Sequence, residues 1–272
     1  MPSVSVIIGT YNQLPYLKLC MLSLERQTFG DFEVIVADDG SGPEVGEWLR
    51  TYRPSYPVKH LWQEDKGFRK CRILNRVILE SKAGYIVFID ADCILARDFL
   101  QAHWEHRKEN VFLGGRRVMM GVDTSAGVGS GMVVKGYFDG PTLWGVYHSL
   151  LGHFKYYEET LRPLHRLRRN NRFNLLGCNF SIHKTDLFAV NGFDEDYQSR
   201  GGGEDTDISY RLKAAGKMME SVRYIAIQFH LGHKTSEGKD QSARMFSEKR
   251  KRLLSAEDAR NIKSLLAGKE SD

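Results

Sequence analysis

Cysteine is scarce in this chain of 272 residues: there are four, Cys20, Cys71, Cys93 and Cys178. None belongs to a C-x-x-C pair, and their wide spacing offers no framework of the kind that staples small secreted domains. The expectation is a cytosolic, cytoplasmic protein with reduced thiols. Long hydrophobic runs are lacking too. No stretch of about 18 apolar residues occurs, so no segment is expected to span a bilayer. The opening Met-Pro-Ser-Val-Ser enters a strand pattern at once, leaving no room for the charged and apolar regions of a secretory leader. Charge is only mildly one-sided, at +5 with a pI near 8.9. Such an excess suits anionic small molecules, a membrane surface or nucleic acid without choosing among them. What is present is a 42% hydrophobic fraction, enough for a core, in a length that fits one large or two modest domains.

The chain is organised around Gly84-Tyr-Ile-Val-Phe-Ile-Asp-Ala-Asp92. The apolar run from Tyr85 to Ile89, rich in β-branched and aromatic residues, predicts a strand buried on both faces. Its carboxyl end would be the ligand edge of an open α/β sheet. Residues two apart in an extended chain share a face, so Asp90 and Asp92, on either side of Ala91, are expected to converge on one divalent metal, Mn2+ or Mg2+. The plain alternative is a solvated strand end, since 17 aspartates yield about one Asp-x-Asp by chance. Three occur. Asp194/Asp196 and Asp205/Asp207 lack a preceding buried strand, so position singles out Asp90/Asp92.

Strand patterns at Val4–Ile8, Phe32–Ala37 and Val58–Trp62 alternate with helical ones at Leu14–Gln27 and Val45–Tyr52. That alternation predicts βαβ units and a mostly parallel sheet. The strand ends are polar: Thr10, Tyr11 and Asn12, then Asp38 and Asp39, then Asp90 and Asp92. Between the third and fourth strands, Gln63 to Asn75 opens a helix expected to reach about Ser81. Lys66, Arg69, Lys70 and Arg72 cluster at its start, where free N–H groups and the helix dipole favour an anion; a solvated basic face is the simpler account of any one of them.

Ser5-Val-Ile-Ile-Gly-Thr-Tyr-Asn12, Val36-Ala-Asp-Asp-Gly-Ser41, Asp65-Lys-Gly-Phe-Arg69 with Asn75, and Phe88-Ile-Asp-Ala-Asp92 follow one another in an order that resembles the family 2 glycosyltransferases of GT-A fold. The likeness covers about the first 100 residues. It implies a UDP-sugar donor or its equivalent, with Thr10, Tyr11, Asn12 and Asp39 holding the nucleoside and Asp38 beside it. It also implies donor contacts from Lys66, Phe68, Arg69, Arg72 and Asn75, and a ribose and diphosphate-bridging metal role for Asp90, Ala91 and Asp92. Leu74 departs from the family pattern, where many relatives carry arginine; Arg72, one turn from Arg69, is the expected substitute.

Beyond residue 100 a helix is expected to Asn110, then a strand over Val111–Val122. Gly127 to Gly140 reads as mobile, and Leu143 to Leu161 as a helical hairpin. Leu161 to Asn170 is basic and leucine-studded, which suits peripheral contact with an anionic membrane surface as well as a solvated face or a lid. A strand is expected over Asn174–His183. Gly201-Gly-Gly-Glu-Asp-Thr-Asp207 then leads into a helix capped by Thr206 or Asp207 and ended by Gly216, with Glu204 and Asp205 just ahead of it. Glu204 and Asp205 either serve an acceptor or merely favour the helix dipole.

Gly203-Glu-Asp205 before a helix is similar to the acceptor motif of galactosyltransferase-like and chondroitin-polymerase-like enzymes. The resemblance implies that Asp205 is the catalytic base and that Glu204, with Gly203, meets the acceptor. It also implies a further metal ligand downstream, where Phe229-His-Leu-Gly-His233 lies; His233 is the first choice and His230 the second.

The expected architecture is a single α/β domain of Rossmann-like GT-A type: a mixed, mostly parallel central sheet flanked by helices. A nucleotide half spans 1–100, an acceptor half 101–235, and a basic helical tail 236–272. The expected activity is inverting transfer of a hexose from a UDP-sugar to a glycan or lipid-linked glycan, in bacterial surface polysaccharide or lipopolysaccharide synthesis. Gly-Gly-Glu motifs also occur in retaining N-acetylgalactosaminyltransferase-like proteins. A non-catalytic glycan or nucleic-acid binding module is the reading from another class. Nucleic acid is not the expected partner, because a binder has no use for Asp90, Asp92, Glu204, Asp205 and His233 at strand ends.

Overall fold

The first half of the chain alternates strand and helix, as its periodicity predicts: β1 (Val4–Thr10), α1 (Leu14–Leu24), β2 (Phe32–Asp38), α2 (Pro43–Thr51), β3 (Val58–Trp62), α3 (Lys70–Glu80) and β4 (Tyr85–Asp90). The computed structural model describes residues 1–167, 174–199, 203–233, 245–249, 251, 256–264 and 266. β1 and β2 are buried along their whole length, and β4 up to Asp90. Both faces of these strands are covered. Val4, Val6 and Ile8 pack with Leu17, Cys20, Met21 and Leu24 of α1, whereas Ile7 and Ile35 pack with Cys71, Ile73, Val77 and Ile78 of α3. The period of two along each strand therefore sends alternate side chains into two separate apolar layers. Each buried Val, Leu or Ile contributes about 1.5–3 kcal/mol.

The second half adds β5 (Cys93–Leu95), α4 (Phe99–His106), β6 (Val111–Gly114), β7 (Val118–Met120), α5 (Val122–Ala126), α6 (Ser130–Val134), α7 (Leu143–Leu150), β8 (Phe154–Lys155) and a 3-10 turn at Tyr157–Thr160. There follow α8 (Leu164–Leu167), β9 (Phe180–His183), α9 (Lys184–Ala189), α10 (Glu204–Ala214), β10 (Met218–Ser221), β11 (Gln228–His230) and α11 (Ala256–Arg260). The large sheet runs β10-β6-β9-β4-β1-β2-β3, with β9 antiparallel to both neighbours and every other pair parallel. A smaller sheet runs β5-β11-β7-β8. The chain moves outward from β1 through β2 to β3, then crosses back to place β4 on the other side of β1. A crevice opens at that reversal, at the carboxyl ends of β1 and β4.

Several expectations are corrected. The strand predicted over 111–122 is two strands, β6 in the large sheet and β7 in the small one. The helical hairpin predicted over 143–161 is α7, a two-residue strand and a 3-10 turn. The glycine-rich 127–140 stretch is built into the core through Val133 and Phe138, both fully buried, and Asp139 pairs with Arg26 at 2.5 Å. The helix expected to open within Gln63–Asn75 begins at Lys70 and ends at Glu80, and β9 is four residues rather than ten. α10 starts at Glu204 with Gly203 as its N-cap, so Glu204 and Asp205 occupy its first turn, and Asp207, instead of capping, pairs with Arg211 at 2.7 Å. In the tail, Ala259 and Leu266 are buried in the α3 layer, and Glu195 N donates to Lys263 O. Gly201, Gly202, residues 168–173 and most of 234–255 lie outside the described residues.

A buried polar chain ties α4 to the sheet. Asn179 Nδ2 donates to the carbonyls of Arg116 and Ala226, which fixes Asn179 Oδ1 as an acceptor. His103 Nε2 lies 3.1 Å from that oxygen and so carries the proton. His103 Nδ1 then accepts from Ser181 Oγ at 2.7 Å, and Tyr85 donates its hydroxyl to Ser181 at 2.7 Å. Every member is satisfied only while the imidazole is neutral.

Candidate active site

A cavity of about 840 Å³ opens at the carboxyl ends of β1 and β4. Thr10, Tyr11 and Asn12 line it because β1 ends there. Asn12 adopts a left-handed φ of 52°; its N–H donates to Ser41 Oγ and its Oδ1 accepts from Gly42 N. The turn after β1 is thereby clamped to the turn after β2. Tyr11 donates its hydroxyl to Asp65 at 2.9 Å. Thr10 Oγ1 is buried and lacks a hydrogen-bond partner among the described residues, a vacancy that native proteins rarely tolerate without a ligand or water.

Asp38 and Asp39 divide the labour at the end of β2. Asp38 is fully buried; Oδ1 accepts from Ser41 N at 2.8 Å and Oδ2 meets His60 Nε2 at 2.9 Å, so it builds the turn. Asp39 lines the cavity, with Oδ1 accepting from Gln63 Nε2 at 2.6 Å and Oδ2 from Arg69 N at 2.8 Å. Burial raises its pKa, and these two donors oppose the shift. The Asp39–Arg69 contact holds the 63–69 loop against the cavity, and Gly67 and Phe68 join the lining.

β4 ends at Asp90, and the next two residues form a turn. The alternation argument for Asp90 and Asp92 therefore fails, and the two carboxylates have different partners. Asp90 Oδ1 is 2.7 Å from Lys70 Nζ. Asp92 Oδ2 is 3.0 Å from His233 Nε2 and 3.3 Å from His230 Nε2. One ligand atom from each of Asp92, His230 and His233 can be chosen so that all lie within 4.8 Å of one another, and this is the one such trio of His, Cys, Asp or Glu among the described residues. One carboxylate oxygen with two imidazole nitrogens is a donor set suited to a divalent transition metal. Burial pushes the Asp92 pKa up, but hydrogen bonds from both histidines dominate and hold it well below the ordinary carboxylate range.

The trio is positioned by chain segments far apart. His230 closes β11, which pairs with β5 immediately after Asp92, and Leu231 N donates to Asp92 O at 2.8 Å. Gly232 lies against the β7–α5 junction; a Cβ there would be 2.4 Å from Met120 O and 2.7 Å from the Gly121 carbonyl carbon. Gly232 N donates to Ser125 Oγ at 2.7 Å, and its carbonyl accepts from Tyr16 at 3.2 Å. His233 is thus aimed by a residue with no side chain.

Beside the cavity is a small crevice lined by Lys70, Leu74, Phe88, Ile89, Asp90, Gly177, Phe193, Glu204 and Asp205. Asp205 Oδ2 accepts from Gly177 N at 3.2 Å and Oδ1 from Thr206 N at 2.7 Å. Burial and then Asp205 raise the Glu204 carboxyl to about 7, against the pull of Lys70.

The cavity thus gathers Thr10, Tyr11, Asn12, Asp39, Phe68, Asp90, Asp92 and His233. His230 stands behind them on Asp92. Five other expected donor residues are elsewhere. Asn75 is fully buried, donating to Phe193 O, Glu195 Oε1 and Ser264 Oγ while accepting from Phe193 N. Arg72 pairs with Glu195 at 3.4 Å and Lys66 with Glu64 at 2.7 Å. The Arg69 side chain bonds the Glu64 carbonyl, leaving its backbone N–H to serve Asp39. Ala91 is buried, its N–H bonded to Gly9 O. Gln13 and Tyr16, which line the cavity, and Gln63, which holds Asp39, carry no local sequence pattern that marks them; Lys70 is marked only as one of four clustered cations.

The model of the family described as Glycosyl transferase family 2 matches residues 5–175, and that of the N-terminal domain of galactosyltransferase matches residues 164–234. Validoxylamine A glucosyltransferase of Streptomyces hygroscopicus subsp. jinggangensis is 29% identical over 246 residues, covering 82% of this chain and 54% of that relative. Chondroitin synthase of Escherichia coli is 27% identical over 245 residues, covering 80% of this chain and 33% of that protein. The chain therefore spans about half the length of the first of these relatives and a third of the second. Among solved structures, S. aureus TarS 1-349 in complex with UDP-GlcNAc has a TM-score of 0.58 at 18% identity, over 87% of this chain and 60% of that one. The mannosyltransferase PcManGT from Pyrobaculum calidifontis, in complex with GDP-Man and Mn2+, has a TM-score of 0.56 at 17% identity, over 97% of this chain and 66% of that one. The likeness to these structures shows that the chain's central, mostly parallel sheet flanked by helices has the GT-A-like fold. With the first model spanning more than half of its length, the chain belongs to glycosyl transferase family 2.

Proposed function

We propose that this chain transfers a hexose from a UDP-sugar to a hydroxyl of a glycan or lipid-linked glycan, with inversion at the anomeric carbon and with help from a divalent cation. The observation that carries the reading is the single cavity lined by Thr10, Tyr11 and Asp39 together with Asp90, Asp92 and His233. The buried, unpartnered Thr10 hydroxyl and the second lone pairs on Asp39 suit a nucleoside. UDP-GlcNAc in the TarS structure supports a uridine nucleotide, and chondroitin synthase and a glucosyltransferase among the relatives support sugar transfer.

Asp92, His233 and His230 would hold the cation, and Mn2+ in the PcManGT structure supports that assignment. Two nitrogens among three donors suit Mn2+ better than Mg2+, which takes carboxylate and water oxygens. Bound there, it would offset charge developing on the departing diphosphate. Asp205, whose carboxylate is oriented by hydrogen bonds from the Gly177 and Thr206 N–H groups, would accept the proton of the acceptor hydroxyl. The freed oxygen bonds to the anomeric carbon as the bond to the diphosphate breaks, so no covalent enzyme intermediate is required. Glu204, in the same crevice, would hold the acceptor. One observation favours exchanging these roles: a Glu204 carboxyl near 7 is well matched to proton transfer at neutral pH.

In this reading residues 1–100 serve the donor and 101–235 the acceptor, save that His230 and His233 join Asp92 at the cation, and the pathway is bacterial surface polysaccharide or lipopolysaccharide assembly at the cytoplasmic face of the membrane. No helix among the described residues is long and apolar enough to cross a membrane; of the 161–170 segment proposed to touch its surface, residues 161–167 are described, and Leu161, Arg166 and Leu167 among them are exposed. The test is calorimetric titration of UDP and a panel of UDP-sugars with and without Mn2+, repeated on Asp92→Ala. Metal-dependent binding that the variant loses is the expected result, and binding of no nucleotide under either condition would overturn the reading. Anomeric NMR of the product separates inversion from retention.

A further inference from the structure

A diphosphate entering a cavity walled by Asp39, Asp90 and Asp92 needs positive charge nearby. Among the described residues, Lys70 is the one lysine or arginine on that wall. The other cations clustered in sequence at the start of α3 are engaged elsewhere, Lys66 with Glu64, Arg69 with the Glu64 carbonyl and Arg72 with Glu195. Lys70 and Asp90 are also the two residues shared by the cavity and the Glu204–Asp205 crevice. The ammonium therefore stands where the donor's diphosphate and the acceptor side meet.

The fold makes room for it. A Cβ on Gly9 would lie 3.2 Å from Lys70 Cε and 3.3 Å from Asp90 Oδ1, so the bare backbone of β1 admits the lysine to its carboxylate. Burial pulls the Lys70 pKa down, but Asp90 and Glu204 more than reverse that and keep the group charged.

We propose that Lys70 is a donor-binding residue whose ammonium moves from Asp90 to the sugar-bearing phosphate of a nucleoside diphosphate sugar when the donor binds. The inference rests on the donor-site reading above and adds the residue that meets the leaving group from the side of the crevice. A phosphate oxygen competes with Asp90 for the ammonium because a diphosphate carries more charge than one carboxylate. Released from Lys70, the Asp90 carboxylate is available to a hydroxyl of the ligand. No covalent step is involved.

The experiment measures the affinities of UDP, UMP and uridine, at saturating Mn2+, for the native chain, Asp90→Asn, and Lys70→Met combined with Asp90→Asn. The double variant carries no unpaired charge, so comparing it with Asp90→Asn isolates Lys70 without stranding a half-buried carboxylate; a thermal melt checks that both fold. A direct phosphate contact predicts that UDP binds about ten- to a hundredfold more weakly to the double variant than to Asp90→Asn, as expected for one charge-assisted hydrogen bond. Uridine affinity should not change, and Lys70→Arg should retain most UDP affinity. Equal losses for UDP and uridine, or no loss for UDP, would overturn the inference and leave Lys70 as a counter-ion. A native chain that binds UDP no more tightly than uridine would overturn the donor-site reading itself, a different and separately visible outcome.

Discussion

His233 Nε2 stands 3.0 Å from Asp92 Oδ2 across 141 residues of sequence, and the carboxylate belongs to the turn after β4 rather than to the strand. Loss of an outer partner of a metal ligand typically costs 10–100-fold in metal affinity, so loss of a ligand should cost at least about a hundredfold. His233→Ala and Asp92→Ala are each expected to weaken Mn2+ binding by that factor, read by titration of the ion alone. Mn2+ affinity that is unchanged in both variants would remove the trio as a metal site.

Gly232→Ala is expected to act on the same trio without altering a ligand. Its Cβ would meet backbone atoms at 2.4 and 2.7 Å, and overpacking of this kind costs about 1–3 kcal/mol. A lowered thermal midpoint together with weaker Mn2+ binding is the predicted outcome. Native Mn2+ affinity in the variant would show that His233 does not depend on that close approach.

Asn75→Ala separates anchoring from donor binding. The substitution removes a side chain that joins α3 to Phe193, Glu195 and Ser264, leaving buried groups unpaired at about 1–3 kcal/mol. Denaturant unfolding should record that loss while UDP affinity of the folded variant stays native. A selective fall in UDP affinity with stability intact would restore the role implied by the family motif.

Acid should destabilise the fold through His103. Burial holds its pKa down to about 3, against 6.5 for an ordinary histidine. Between those values the unfolded chain binds a proton that the folded chain refuses, so stability falls as pH drops through 6.5 and levels off below about 3. The slope from this one group is at most about 1.4 kcal/mol per pH unit. Urea unfolding at pH 7 and pH 5 should reveal it, and His103→Gln should flatten it.

The Glu204 carboxyl near 7 makes a kinetic prediction. If Glu204 takes the acceptor proton, kcat/KM declines below about pH 7 and Glu204→Gln removes both that limb and most of the rate. Should Asp205 be the base, Asp205→Asn abolishes transfer, UDP binding stays near native, and Glu204→Gln chiefly raises the KM for acceptor.

The sequence by itself determined the βαβ order, the two apolar layers on either side of β1, β2 and β4, and the polar residues at their carboxyl ends. These depend on spacing along the chain, which a strand's period of two and a helix's of 3.6 impose locally. The region from 111 to 161 is not legible in this way, because its short elements switch between two sheets and few exceed five residues. Tertiary structure alone decided which partner each charged group takes. Asp90 and Asp92 look alike in sequence, yet a turn beginning after Asp90 gives one to Lys70 and the other to two histidines, one at the end of β11 and one in the segment after it. Asn75 sits in a donor motif, yet its side chain meets the 193–195 segment and the tail rather than the cavity. Hydrogen bonds and ion pairs act over about 3 Å, and only the packing of distant segments brings such groups that close.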